Sequence, residues 1–187
     1  LLTANLLTGQ SGFDFWQKAD SKHMQFTPKR PRSYVPSAFQ TYKLDFFSIK
    51  NALKEAPMEF STEASTHPLL LDLPIGDGRI ETFKIWESPI MESELAKRWP
   101  DLRTYSGEGL RSRGLSVRLD VTLNGFHAII FDAGNSTFFV EPYFFGQKEY
   151  YMAYDSKNVP PSPNKLENCV DYGDIAKHNE VEPVEIF

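Results

Sequence analysis

From residue 102 to 154 apolar and polar side chains trade places at nearly every step, in "LRTYSGEG", "LSVRLDVT", "FHAIIFD", "STFFVEPY" and "EYYMAYD". A period of two sends successive side chains to opposite faces of a strand, so each run predicts a half-buried β-strand. "LNG" (123–125) and "DAGN" (132–135) are turns of the hairpin type, which makes the series an antiparallel meander. Upstream, "PLLLDLPIGDGRIETFKIWES" (68–88) predicts a hairpin of two apolar strands. Its "PIGDG" places Gly76, Asp77 and Gly78 where a tight reversal needs positive φ. Ile80, Phe83 and Ile85 depart from strict alternation, which leaves room for a bulge in the second strand.

Two stretches have helical spacing instead. "YKLDFF" (42–47) alternates like a strand and runs into "SIKNALKEA" (48–56), where Ser48 is the expected cap and Ile49, Leu53 and Ala56 share one face. Pro57 is the expected stop. "SPIMESELAKRWPD" (88–101) predicts a helix of about 92–98, ended by Pro100, with Met91, Leu95 and Trp99 turned toward the core. Residues 14–40 mix charge, prolines and scattered aromatics and read as an extended arm. After Asp155 the period is lost, and prolines at 160, 161 and 163 mark a tail. The expected class is therefore α+β: an antiparallel β-sheet meander with two short helices, an extended N-terminal arm and a C-terminal tail. The core of the domain is expected over about 40–154.

With 187 residues, 41% of them hydrophobic and 14% aromatic, the chain can bury a real core. Its net charge of −5 and pI near 5.4 argue against a nucleic-acid binder. Acids gather in 155–187 (Asp155, Glu167, Asp171, Asp174, Glu180, Glu182 and Glu185 against three lysines), and bases in 18–43. No apolar run approaches the ~20 residues of a membrane span, so neither membrane nor nucleic acid is an expected partner. The opening "LLTANLLTGQSGF" is apolar without an amphipathic pattern, and residues 1–12 read as the remnant of a secretory signal peptide.

Catalytic signatures are scarce. His23, His67, His127 and His178 are scattered, and no H-E-x-x-H helix is present. His127 lies in an apolar strand, where a satisfied sheet-face histidine is expected rather than a ligand. "SGEG" (106–109) does not open a helix, so a bulge or bend between strands is expected rather than a phosphate loop, and Asn135 stands in an N-x-T sequon. The aromatics of "EPYFFGQKEYY" offer a surface for carbohydrate or protein, or else the packing of core and strand pairs. Cys169, in "NKLENCVDYG" (164–173), has no second cysteine to pair with. It is a leftover, half of an intermolecular disulfide, a nucleophile or a metal ligand. Acidic neighbours raise a thiol pKa and speak against the nucleophile.

One longer pattern remains. "ESPIMESELAKRWPDLRTYSGEG", "VRLDVTLNGFHAIIF" and "FVEPYFFGQKEYYMAYD" resemble the N-terminal propeptide of secreted bacterial reprolysin-like (adamalysin, metzincin) zinc metalloproteases. The resemblance continues upstream through "YKLDFFSIKNALKEAPMEFS" and "LLLDLPIGDGRIETFKIWESP" and covers roughly residues 13–155. The patterned core without a ligand cluster predicts a monomer, and the resemblance implies a secreted domain without enzymatic activity or cofactor of its own, whose partner is its own metalloprotease catalytic domain. That domain would follow in sequence and carry the zinc, while the propeptide assists its folding and keeps it latent. Residues 156–187 would then be a flexible linker. By the same resemblance, Cys169 is the candidate metal ligand, a cysteine switch to the protease zinc, and Asp171 or another tail carboxylate is the lesser alternative. Val170 follows Cys169 where the better-known switch segments carry glycine. A stand-alone extracellular module that binds protein or carbohydrate is the competing function.

Overall fold

The computed structural model describes residues 14–20, 32, 34–134 and 136–161. Strands β1 (Trp16–Lys18) and β2 (Gln40–Leu44) lead to helices α1 (Phe46–Leu53) and α2 (Thr62–Thr66), then to strands β3 (Leu69–Pro74) and β4 (Ile80–Glu87). Helix α3 (Ser93–Arg98) precedes β5 (Arg103–Gly109), β6 (Leu115–Thr122), β7 (Gly125–Asp132), β8 (Ser136–Pro142) and β9 (Tyr150–Asp155). A single 3-10 turn, Ser156–Asn158, follows. The class is α+β, with the β3–β9 meander making most of one antiparallel sheet in the order β1-β2-β9-β8-β7-β6-β5-β4-β3.

Alternation decides what faces inward. In β6, Leu115, Val117, Leu119 and Val121 are buried while Ser116 and Arg118 are exposed. Register carries that face across the sheet, because Val117 pairs with Ile130 and Ile130 with Phe138. The sheet rolls until β1 and β3, at opposite ends of the order, approach one another. Two glycine sites show how tight the roll is. A Cβ at Gly107 would stand 2.4 Å from the carbonyl oxygen of Lys84, and one at Gly76 would stand 2.2 Å from the carbonyl carbon of Tyr154. Residues with side chains could not bring these backbones so close. The rolled sheet is thus a barrel whose inner face is filled by Trp16, Tyr42, Phe83, Tyr105, Phe126 and Tyr151 among smaller apolar groups.

Helix α1 closes one end of this barrel. Its start differs from the expected one: Asp45, not Ser48, is the N-cap, accepting from Ser48 N–H at 3.1 Å and from Ser48 Oγ at 2.7 Å. The carboxylate is the stronger acceptor for the unpaired first-turn amides. Phe46, Ile49 and Leu53 point into the core, as the spacing of the last two requires. The opposite end is made of turns. Around 75–79, Ile75 N–H donates to Arg79 O at 2.8 Å and Gly78 takes φ 92°, whereas Gly76 is needed for its close approach to Tyr154 and not for positive φ.

Three further expectations change. The registers β3–β4 and β4–β5 run without interruption, so β4 has no bulge; Ile80 is exposed because its parity puts it on the outer face. "SGEG" is the inner-curving part of β5 rather than a break between strands. α3 buries none of its residues, and Leu95 and Trp99 are 46% and 53% exposed. The helical stripe exists, but it does not turn to the core as expected, because α1 already fills that end of the barrel. α2 was not foreseen, because "TEAST" has no apolar period. Its one local signal is Ser61, which accepts from Ala64 N–H at 3.0 Å as N-cap.

Candidate functional site

The end of the barrel closed by α1 collects side chains that the core does not use. Phe47 follows the buried Phe46 and is 76% exposed, because one step along a helix turns a side chain away from the face below. Leu123, in the β6–β7 turn, is 68% exposed and lines an apolar groove of about 420 Å³ with Trp99, Pro100, Leu102 and Arg98. A second hollow, shared by Pro100 and Asp101, reaches to Lys50 and Lys54 of α1. Lys50 Nζ and Asp101 Oδ1, 3.0 Å apart, tie the helix to the 99–102 loop. Beyond Phe47, a groove of about 550 Å³ is lined by Phe46, Lys43, Lys148 and Glu149. The Lys148 ammonium lies 5.0 Å over the Phe46 ring, and Lys54 and Arg98 form no ion pair with a described carboxylate.

A second feature stands on the outer wall. Pro57 and Glu59 bracket the end of β4: Glu87 N–H donates to Pro57 O and Glu59 N–H to Glu87 O, both at 2.8 Å. Ser61 N–H then closes a turn onto Met58 O at 3.1 Å. Phe60 is the third residue of that turn, at φ 65°, and is 96% exposed. Below it the Glu59 carboxylate accepts from Trp86 Nε1 at 3.0 Å and Ser106 Oγ at 2.8 Å. Arg118 donates to the neighbouring Ser88 Oγ at 3.0 Å. Burial pushes the Glu59 carboxyl up, but the hydrogen bonds of Ser88, Ser106 and Trp86 and the charge of Arg118 outweigh it and hold it below its ordinary value.

The residues singled out in the sequence fare unevenly. His127 is a sheet-face residue, its Nδ1 3.1 Å from Asp120 Oδ1 on the adjacent strand. The aromatics of "EPYFFGQKEYY" mostly pack. Tyr151 is buried, Tyr143 meets the Phe39 ring at 5.8 Å, Tyr150 pairs with Lys43, and only Phe145 is half exposed. Residues 1–12, Asn135, Cys169 and Asp171 lie outside the described residues. Among the described residues no group of three His, Cys, Asp or Glu side chains could hold a metal ion, and no helix is long and apolar enough to cross a membrane. Sequence reasoning missed Phe47, Glu59 and Phe60. The one signal for the last two was "PMEFST", which sets a helix-stopping proline and a capping serine around an aromatic. No family model, curated protein or solved structure matches the chain.

Proposed function

We propose that the chain is the propeptide of a secreted zinc metalloendopeptidase, a domain that assists the folding of a catalytic domain C-terminal to it and holds it latent until cleavage. The observation that carries this reading is the α1 end of the barrel, where Trp99 and Leu123 stand exposed in one apolar groove and Phe47 stands exposed at another. Exposed apolar groups gathered on one face suit a protein partner, and aromatics flanked by arginine or lysine are common interface anchors. The resemblance of residues 13–155 supplies the identity of that partner. The chain itself then has no peptidase activity. In the latent precursor the Cys169 thiolate is the ligand offered to the protease zinc, a soft donor in the position that water needs for hydrolysis, with Asp171 as the alternative.

Two measurements test this. The first titrates the chain into the zinc peptidase domain encoded beyond Phe187 in the same reading frame, read with a fluorogenic peptide. Saturable inhibition is expected, weakened about tenfold or more by the double change Trp99→Ser and Leu123→Ser. A flat titration, or a reading frame without H-E-x-x-H-x-x-G-x-x-H, overturns the reading. The second is Cys169→Ala in the full precursor, which is expected to be active before any cleavage. A variant as silent as the unmodified precursor removes the thiol from the mechanism.

A further inference from the structure

The turn at Met58–Ser61 is built at a cost that its own packing does not explain. A turn whose third residue has positive φ normally takes glycine or asparagine there. An L-residue with a bulky side chain is strained in that region, and such strain persists only where the surroundings impose it. Here they do. The two hydrogen bonds to Glu87, the Ser61–Met58 closure and the Glu59 carboxylate on Trp86 and Ser106 fix every neighbour of Phe60. Phe60 itself receives nothing in return: its ring is 96% exposed, and its N–H and C=O have no partner among the described residues.

We propose that Phe60 is a pre-set anchor that enters an apolar side-chain pocket in the substrate cleft of the peptidase partner. This rests on the propeptide reading above. A substrate cleft binds one side chain together with the main-chain N–H and C=O beside it, and Phe60 presents all three unpaired. The groove of about 250 Å³ beneath it, lined by Glu59, Ala64, Lys84, Trp86 and Glu108, receives the rim of the cleft. Rigidity adds affinity, because a clamped loop loses little conformational freedom on docking. The left-handed φ also departs from the extended backbone of a cleavable peptide, so the turn occupies the cleft without being cut. Met58, 51% exposed on the same turn, is the second apolar contact.

The experiment compares the full chain with Phe60→Ala, Phe60→Gly and Phe60→Tyr against the peptidase domain encoded beyond Phe187. Phe60→Ala is expected to raise the inhibition constant at least about tenfold. Phe60→Gly should lose inhibition to the same degree while its Tm rises, because glycine relieves the φ strain. Phe60→Tyr should inhibit like the unmodified chain. Unmodified chain that inhibits, with Ala and Gly variants that inhibit equally well, overturns the anchor and leaves the propeptide reading standing. Unmodified chain that does not inhibit overturns both. A Gly variant with lowered Tm overturns the claim that the turn is strained.

Discussion

The two ends of the barrel are closed by different devices. At one, α1 lays Phe46, Ile49 and Leu53 over the core and turns Phe47 outward, while the surrounding loops carry Trp99 and Leu123 outward. At the other, a glycine turn folds onto β9 and polar pairs finish the surface, with Arg79 Nη2 2.7 Å from Asp77 Oδ2 and Nη1 3.1 Å from Glu81 Oε1. A helix plug solves the closure with one face and leaves its other residues free for different duties. Backbone contact leaves no such surplus. The difference explains why Phe47 stands exposed directly beside the buried Phe46.

The largest test of this contrast is Leu53→Ala. Leu53 is fully buried in the plug, so its truncation is expected to cost about 2–5 kcal/mol in a urea unfolding experiment. A loss below about 1 kcal/mol would place the plug outside the cooperative core. The turn end is broken by the smallest possible addition. Gly76→Ala puts a methyl into the Tyr154 backbone and should cost roughly 1–3 kcal/mol by overpacking. Gly78→Ala meets only Gln40 at 3.8 Å, but its φ of 92° should still cost about 1–2 kcal/mol. Asparagine should recover part of that loss at 78 and none at 76. Equal behaviour of asparagine at the two sites would refute the distinction between space and dihedral angle.

The smallest effect belongs to the wall turn. The Glu59 carboxyl titrates below its ordinary value of 4.5 in the fold, so its contribution is present above that value and is lost as pH falls through the lower folded value. Urea midpoints measured from pH 7 to pH 3 should therefore fall less steeply for Glu59→Gln than for the unmodified chain. Parallel curves would show that the carboxylate does not hold the turn.

Strands and their faces were legible because alternation is a local signal that the sheet obeys almost everywhere. β6 reads Leu115, Val117, Leu119 and Val121 inward from sequence and structure alike. The α3 stripe of Met91, Leu95 and Trp99 misled for the complementary reason: helical spacing shows that side chains share a face, and says nothing about whether a partner for that face is still vacant. The Glu59–Phe60 turn was harder to see, since its clamp is formed by Trp86, Glu87 and Ser106, from strands far along the chain.

What the chain by itself determined is the order of its elements, the inward face of each central strand and the placing of its reversals, all consequences of backbone geometry over a few residues. Tertiary structure alone decided how far the sheet rolls, which glycine is needed for space and which for φ, and which aromatics stay outside. Those outcomes depend on the filling of a finite interior. Once α1 and the inner faces of the sheet had filled it, Phe47, Phe60, Trp99 and Leu123 remained at the surface, whatever their hydrophobicity.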